Sequence, residues 1–85
     1  MVKNHFVLYP NPANNNIHID YSGMDGKAQL RLTDVTGRIL IDKQIEVSSG
    51  LYTETLSIEN LQNGIYQLVI SPENSTPIST RIIKQ

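Results

Sequence analysis

The side chains able to do chemistry are few and dispersed. There is no cysteine in the 85 residues, which excludes disulfides, thiolate metal sites and cysteine nucleophiles. The two histidines, His5 and His18, stand at a spacing that matches no compact metal motif; one is near an end and the other on the polar face of its segment. Asp20, Asp25 and Gly26 form a short acidic loop without the ligand spacing of an EF-hand, and they read as turn residues. Serines are plentiful, yet none sits in a nucleophile elbow, and no glycine-rich phosphate loop is present. Asn74-Ser75-Thr76 fits a glycosylation sequon, but the motif is common by chance and a turn-forming Asn is the favoured reading. The sequence therefore reads as a non-enzymatic chain with no catalytic residue, metal site or cofactor.

Bulk properties narrow the partners. A single domain of this length buries roughly 60–65% of its unfolded surface and has little room for a deep cleft, so no small-molecule substrate is expected. Hydrophobic residues make up 39%, and no apolar run approaches the roughly 20 residues of a membrane-spanning helix. The net charge is −1, with Lys3, Lys27, Arg31, Arg38, Lys43, Arg81 and Lys84 scattered among the acids. That distribution offers no basic stripe for a phosphate backbone, and nucleic acid is not an expected partner. Met1 directly precedes domain-like sequence, with no apolar signal-peptide core, which points to residues 1–85 being one domain excised from a longer protein.

The elements that would carry any function are short and β-prone. His5-Phe6-Val7-Leu8-Tyr9 is stopped by Pro10-Asn11-Pro12, whose prolines remove two backbone donors and demand an edge or a rigid lead-in. Ile17-His18-Ile19-Asp20-Tyr21 alternates strictly, as a half-buried strand does, and Ala28-Gln29-Leu30-Arg31-Leu32 alternates again. In Asp34-Val35-Thr36-Gly37-Arg38 the Asp34 carboxylate can accept from the Thr36 backbone N–H, and Gly37 can take the left-handed position of a bulged hairpin turn. The returning strand runs from Arg38 to Val47, Ser48-Ser49-Gly50 turns the chain, and a Thr-rich strand spans residues 52–58. Ser71-Pro72-Glu73-Asn74-Ser75 is read as a turn between Gln67-Leu68-Val69-Ile70 and a last strand over residues 78–83.

Leu61-Gln62-Asn63-Gly64-Ile65-Tyr66 links two of these runs. A Tyr two residues after an Asn-Gly turn matches the tyrosine corner of immunoglobulin-like sandwiches, in which the ring packs inside and the hydroxyl bonds a backbone group upstream. An ordinary hairpin turn followed by a core Tyr is the plainer alternative. About seven short strands with regularly spaced turns and no helical period predict an all-β fold, an immunoglobulin-like antiparallel β-sandwich. Its expected core is Ile17, Ile19, Leu30, Leu32, Ile39, Ile41, Leu56, Ile58, Tyr66, Leu68 and Ile70.

Four stretches in order carry a family resemblance: Tyr9-Pro10-Asn11-Pro12-Ala13, Leu32-Thr33-Asp34-Val35-Thr36-Gly37-Arg38, Leu61-Gln62-Asn63-Gly64-Ile65-Tyr66 and Arg81-Ile82-Ile83-Lys84-Gln85. Together they resemble the C-terminal sorting domain of the type IX (Por) secretion system of Bacteroidota, from about Phe6 to the last residue. The resemblance implies a sandwich at the C-terminus of a secreted cargo protein, read as an address by the outer-membrane type IX machinery. It also implies a sortase-like cysteine peptidase that removes the domain and attaches the cargo to an anionic lipopolysaccharide at the cell surface. Pro10, Asn11 and Pro12 match the opening motif, Asp34, Gly37 and Arg38 the central one, Gly64 and Tyr66 the corner, and Arg81 and Lys84 the basic terminal strand. Family members often carry more lysine in that strand than the single Lys84 here.

Each motif also has a plain structural reading as an edge breaker, a turn or a corner. Only the terminal strand and Arg38 are expected to make direct contact with a receptor, by strand addition at a sheet edge, with the terminal carboxylate beside Lys84 fixing the register. A fibronectin-like spacer or a carbohydrate-binding module of a secreted glycosidase or adhesin stays open, the latter if Tyr9 and Tyr52 share an exposed face.

Overall fold

A computed structural model of the chain describes residues 5–10, 12–73 and 75–85. Expectations placed on Asn11 and Asn74 lie outside the described residues. Among the described residues seven strands follow one another: β1 (His5–Tyr9), β2 (Asn16–Ser22), β3 (Gly26–Asp34), β4 (Ile39–Val47), β5 (Leu51–Ser57), β6 (Gly64–Pro72) and β7 (Ile78–Lys84). They form a three-stranded sheet ordered β1-β2-β5 and a four-stranded sheet ordered β4-β3-β6-β7, with every strand pair antiparallel. β1 packs over β7 and β5 over β4, so the sheets close as an immunoglobulin-like sandwich. Among the described residues there is no helix.

Alternation decides which face goes inside. Ile17, Ile19 and Tyr21 of β2 turn inward, as do Ala28, Leu30 and Leu32 of β3 and Tyr66, Leu68 and Ile70 of β6. Leu56 and Ile58 complete the expected set, and Leu8, Ala13, Ile45, Val47 and Ile82 join them. Two expected core residues do not. Ile39 is 49% exposed and Ile41 only partly buried. Ile41 still faces inward opposite Leu32 and packs against the core from the edge strand β4, whereas Ile39 is displaced by a register shift: Leu32 pairs with Ile41 but Thr33 pairs with Ile39, so Leu40 is an extra residue on β4. Such a bulge reverses the parity of the strand beyond it and turns Ile39 out with Thr33.

Turn chemistry follows the local sequence. Residues 34–38 close on the Gly37 N–H, which donates to the Asp34 carbonyl at 3.0 Å, and Gly37 takes a φ of 88°. Ser49 and Gly50, with φ of 56° and 76°, make a two-residue turn in which Ser48 and Leu51 exchange both backbone hydrogen bonds. That turn launches β4 and β5 into different sheets. The strand β6 runs through Pro72, two residues into the expected turn, because β3 still pairs Ala28 with Pro72.

Two tyrosines anchor the core differently. The Tyr66 hydroxyl donates to the Gln62 carbonyl at 2.6 Å, which makes residues 62–66 a tyrosine corner. Tyr21 sets its ring edge-on to Phe6 at 6.1 Å, but its buried hydroxyl has no hydrogen-bond partner among the described residues, and burial raises its pKa. The same Tyr→Phe change therefore acts with opposite sign at the two sites. Tyr66→Phe should lower unfolding free energy by about 1 kcal/mol, and Tyr21→Phe should raise it by a similar amount, since an orphan buried hydroxyl is costly. Urea unfolding of both variants reads the signs, and a shared sign contradicts the assignment. By the same method Ile45→Ala should cost about 2–4 kcal/mol and Ile39→Thr less than about 0.5, as burial of one and exposure of the other require.

Candidate functional site

The four motif stretches, far apart in the chain, meet at one end of the four-stranded sheet. Asp34 pairs with Tyr66 and Tyr66 with Ile82, while Thr33, Gln67 and Arg81 make the adjoining row. Ile65 pairs with Ile83, and Gly64 with Lys84. Lys84 in turn forms a parallel bridge with Ala13, directly after the prolines. Topology alone accomplishes this, because β3, β6 and β7 are neighbours and the chain after β1 crosses to the outer side of β7.

On the outer face of this end lies a shallow groove of about 340 Å³, bounded by Thr33, Val35, Gly37, Ile65, Gln67 and Arg81. Val35, Ile65, Ile39 and Ile83 expose apolar surface around it. Arg81 is exposed on the outer face of β7. Lys84 is not: it is only 8% exposed and shares the inward parity of Ile82. A lysine so placed lays its methylene stem against the core, so the basic character of this face rests on Arg81 and Arg38. The register of the chain end is set by Ala13, whose N–H donates to the Ile83 carbonyl at 2.8 Å and whose carbonyl accepts from the Gln85 N–H at 2.9 Å.

Asp34 and Arg38 are largely engaged with each other and with their own turn. One Asp34 carboxylate oxygen accepts from the Thr36 N–H at 2.9 Å, the Thr36 hydroxyl at 2.6 Å and the Arg38 N–H at 3.1 Å. The other faces the Arg38 guanidinium at 3.2 Å. The Thr36 hydroxyl foremost, helped by the backbone donors and the Arg38 charge, holds this carboxyl below its ordinary value, against desolvation, which pushes the other way. Asp34 is thus the fixed point of the hairpin, and the Arg38 side chain stays exposed beside it.

Polar side chains elsewhere close the sandwich. Lys43 of β4 binds Glu54 of β5 across the two sheets, and the Tyr52 hydroxyl donates to the same carboxylate. Burial first, and the Glu54 carboxylate second, raise the Tyr52 pKa. Arg31 and Gln29 both donate to Asp42 on the outer face of the four-stranded sheet, and the Gln29 bond is the main cause of the lowered Asp42 pKa. Tyr9 is 45% exposed on the outer face of the three-stranded sheet, stacked at 5.3 Å on His18, which is bonded to Thr55. Tyr52 turns inward, so the two tyrosines form no common aromatic platform. No group of three or more His, Cys, Asp or Glu able to hold a metal ion occurs among the described residues.

The lowered Asp34 pKa has a direction in pH. A carboxylate favoured by the fold contributes stability above its ordinary value of 3.8, and loses it as pH falls through the lower folded value. Asp34→Asn keeps an acceptor for the turn but not the charge. Its melting temperature should lie below that of the parent at pH 7, and the difference should shrink towards about pH 2 as the parent carboxylate is protonated. A difference constant across that range contradicts the account.

Comparisons with known proteins come to the same sandwich and the same four stretches. A region of a beta-glucosidase from Listeria innocua, solved in complex with isofagomine, superposes with a TM-score of 0.52 at 15% identity. The match covers 98% of this chain and 16% of that one, and the likeness is one of fold. No curated protein sequence matches. The model of the secretion system C-terminal sorting domain matches residues 7–85, which takes in all four motif stretches. The chain therefore belongs to the C-terminal sorting domains of type IX secretion, signals for export across the outer membrane to the cell surface or the surrounding medium.

Proposed function

We propose that residues 1–85 are the terminal domain of a larger exported protein, and that the end of the sandwich where the four motifs meet is what the type IX machinery reads. The observation that carries this is the continuous ladder from Asp34 through Tyr66 to Ile82, with Ala13 bridged to Lys84 alongside it. Within that end, Pro10, Pro12, Asp34, Gly37, Gly64 and Tyr66 shape the surface. Arg38 and Arg81 present it, and the inward Lys84 supports β7 from beneath. The outer-membrane machinery is the first partner, and its sortase-like cysteine peptidase acts next, releasing the domain and anchoring the cargo. The domain itself catalyses nothing; chemistry belongs to the cargo and the peptidase.

Recognition of this kind suits the groove. An exposed apolar rim of Val35 and Ile65, continued by Ile83 on the neighbouring strand, beside polar Gln67 and Arg81 gives a partner hydrophobic contact with a few directional bonds to fix orientation. The test is a fusion of residues 1–85 behind a periplasm-targeted reporter in a bacterium with a type IX system, with and without residues 81–85. The intact fusion should reach the surface and the truncated one should stay in the periplasm with its reporter folded. Retention of both overturns the proposal.

A further inference from the structure

The opening motif and the chain terminus are almost as far apart in sequence as the domain allows, yet they are hydrogen-bonded. Ala13 is 1% exposed and belongs to the core cluster. Its N–H and carbonyl clasp β7 on either side of Lys84, through the Ile83 carbonyl and the Gln85 N–H. Pro12 has no N–H to offer, so it cannot extend this pairing one residue further back. The chain crosses from the edge of one sheet, lays a single residue against the edge of the other and leaves again for β2.

The outer end of an edge strand ordinarily frays, and amides there exchange with water at nearly the free-peptide rate. Here the amide of the final residue is a donor to a buried residue some 70 positions earlier. We infer that Ala13 is a clasp that holds residues 83–85 in register, and that the address at the chain terminus can be read only while the clasp is closed. The inference rests on the proposal that the terminal strand is read. It assigns the segment after Pro12 a task distinct from receptor contact: it orders the element that is contacted. It also couples the two ends of the domain, since the cargo side of the chain leads through β1 directly into the clasp.

The experiment has two arms. In the first, amide hydrogen exchange is followed by NMR on the free domain. The Gln85 amide should exchange about tenfold or more slowly than in an unstructured peptide, a protection that a simple terminal strand would not show. Ala13→Pro removes the donor to Ile83, and Ala13→Gly keeps both bonds but loosens the backbone and empties the buried methyl site. Protection at Gln85 should fall in the order parent, Gly, Pro, while amides of β2 and β3 keep theirs. Should the Pro variant fail to fold, the Gly variant decides. Free-peptide exchange at Gln85 in the parent, or protection unchanged in the folded variants, overturns the clasp.

The second arm measures export of the reporter fusion. Export should fall with Gln85 protection, to about a tenth or less in the folded variant of lowest protection, since ordering of the read segment sets the competent fraction. Loss of protection with export at the parental level overturns the functional half of the inference. Failure of the parent fusion to be exported counts against the reading of the terminal strand, and the exchange arm still reports on the clasp.

Discussion

Burial of one face of each central strand holds this domain together. Ile17, Ile19, Leu30, Leu32, Leu68 and Ile70 are almost completely removed from water, and all come from the inner strands β2, β3 and β6. A fully buried side chain of this kind contributes about 1.5–3 kcal/mol relative to exposure, so these six outweigh any surface ion pair, worth at most about 1 kcal/mol. Everything else is arranged around keeping the two inner faces opposed. Three strands facing four leave the flanks of the core thinly covered, and the chain closes them with unlike devices: the Lys43–Glu54–Tyr52 cluster beside β4 and β5, and Ala13 beside β7. The first relies on charge and a shared carboxylate, the second on backbone hydrogen bonds and a buried methyl group.

Local chemistry was readable wherever a side chain meets its own turn. Asp34, Thr36 and Gly37 stand within four residues of one another, so their types and spacing suffice to predict the carboxylate-capped, left-handed turn that forms. The tyrosine corner is readable for the same reason, since Tyr66 reaches only to Gln62. Strand parity was readable in β2 and β3, where polar and apolar residues alternate without interruption. In β4 the run Ile39-Leu40-Ile41 is apolar throughout, and such a run fits either face. The bulge that sends Ile39 outward depends on pairing with Leu32 and Thr33, which no residue of β4 announces. Lys84 shows a related difficulty: alternation with Ile82 already puts it inside, but its charge argues for the surface, and parity prevails because the stem of a lysine can lie along apolar neighbours.

The clasp was not legible at all. Alanine has no propensity that marks it for a bridge, and the prolines before it announce an end of pairing rather than a beginning. Its role exists only because β1 and β7 are stacked at the same flank of the sandwich. Long-range backbone pairing of this kind is a property of topology, and topology is what a list of turns and strands leaves undetermined. The same holds for the gathering of the motifs at one end, which needs the order β3-β6-β7 as well as the existence of the strands.

That dependence bears on how a short domain can serve as an address. A linear signal would need nothing but its last residues, and any flexible tail could carry it. Here the last residues are a strand, half of whose side chains are committed to the core, with Ile82 and Lys84 inside and Arg81 and Ile83 outside. The outward residues occupy defined positions only when β6 pairs with β7 and Asp34 has fixed the hairpin beside Tyr66. A chain unfolded or truncated anywhere in that ladder presents the same terminal sequence without the surface. On the proposed reading, dispersed motifs that are individually ordinary turns and corners therefore become informative together, because each is a condition for the terminal strand to stand where a partner would meet it.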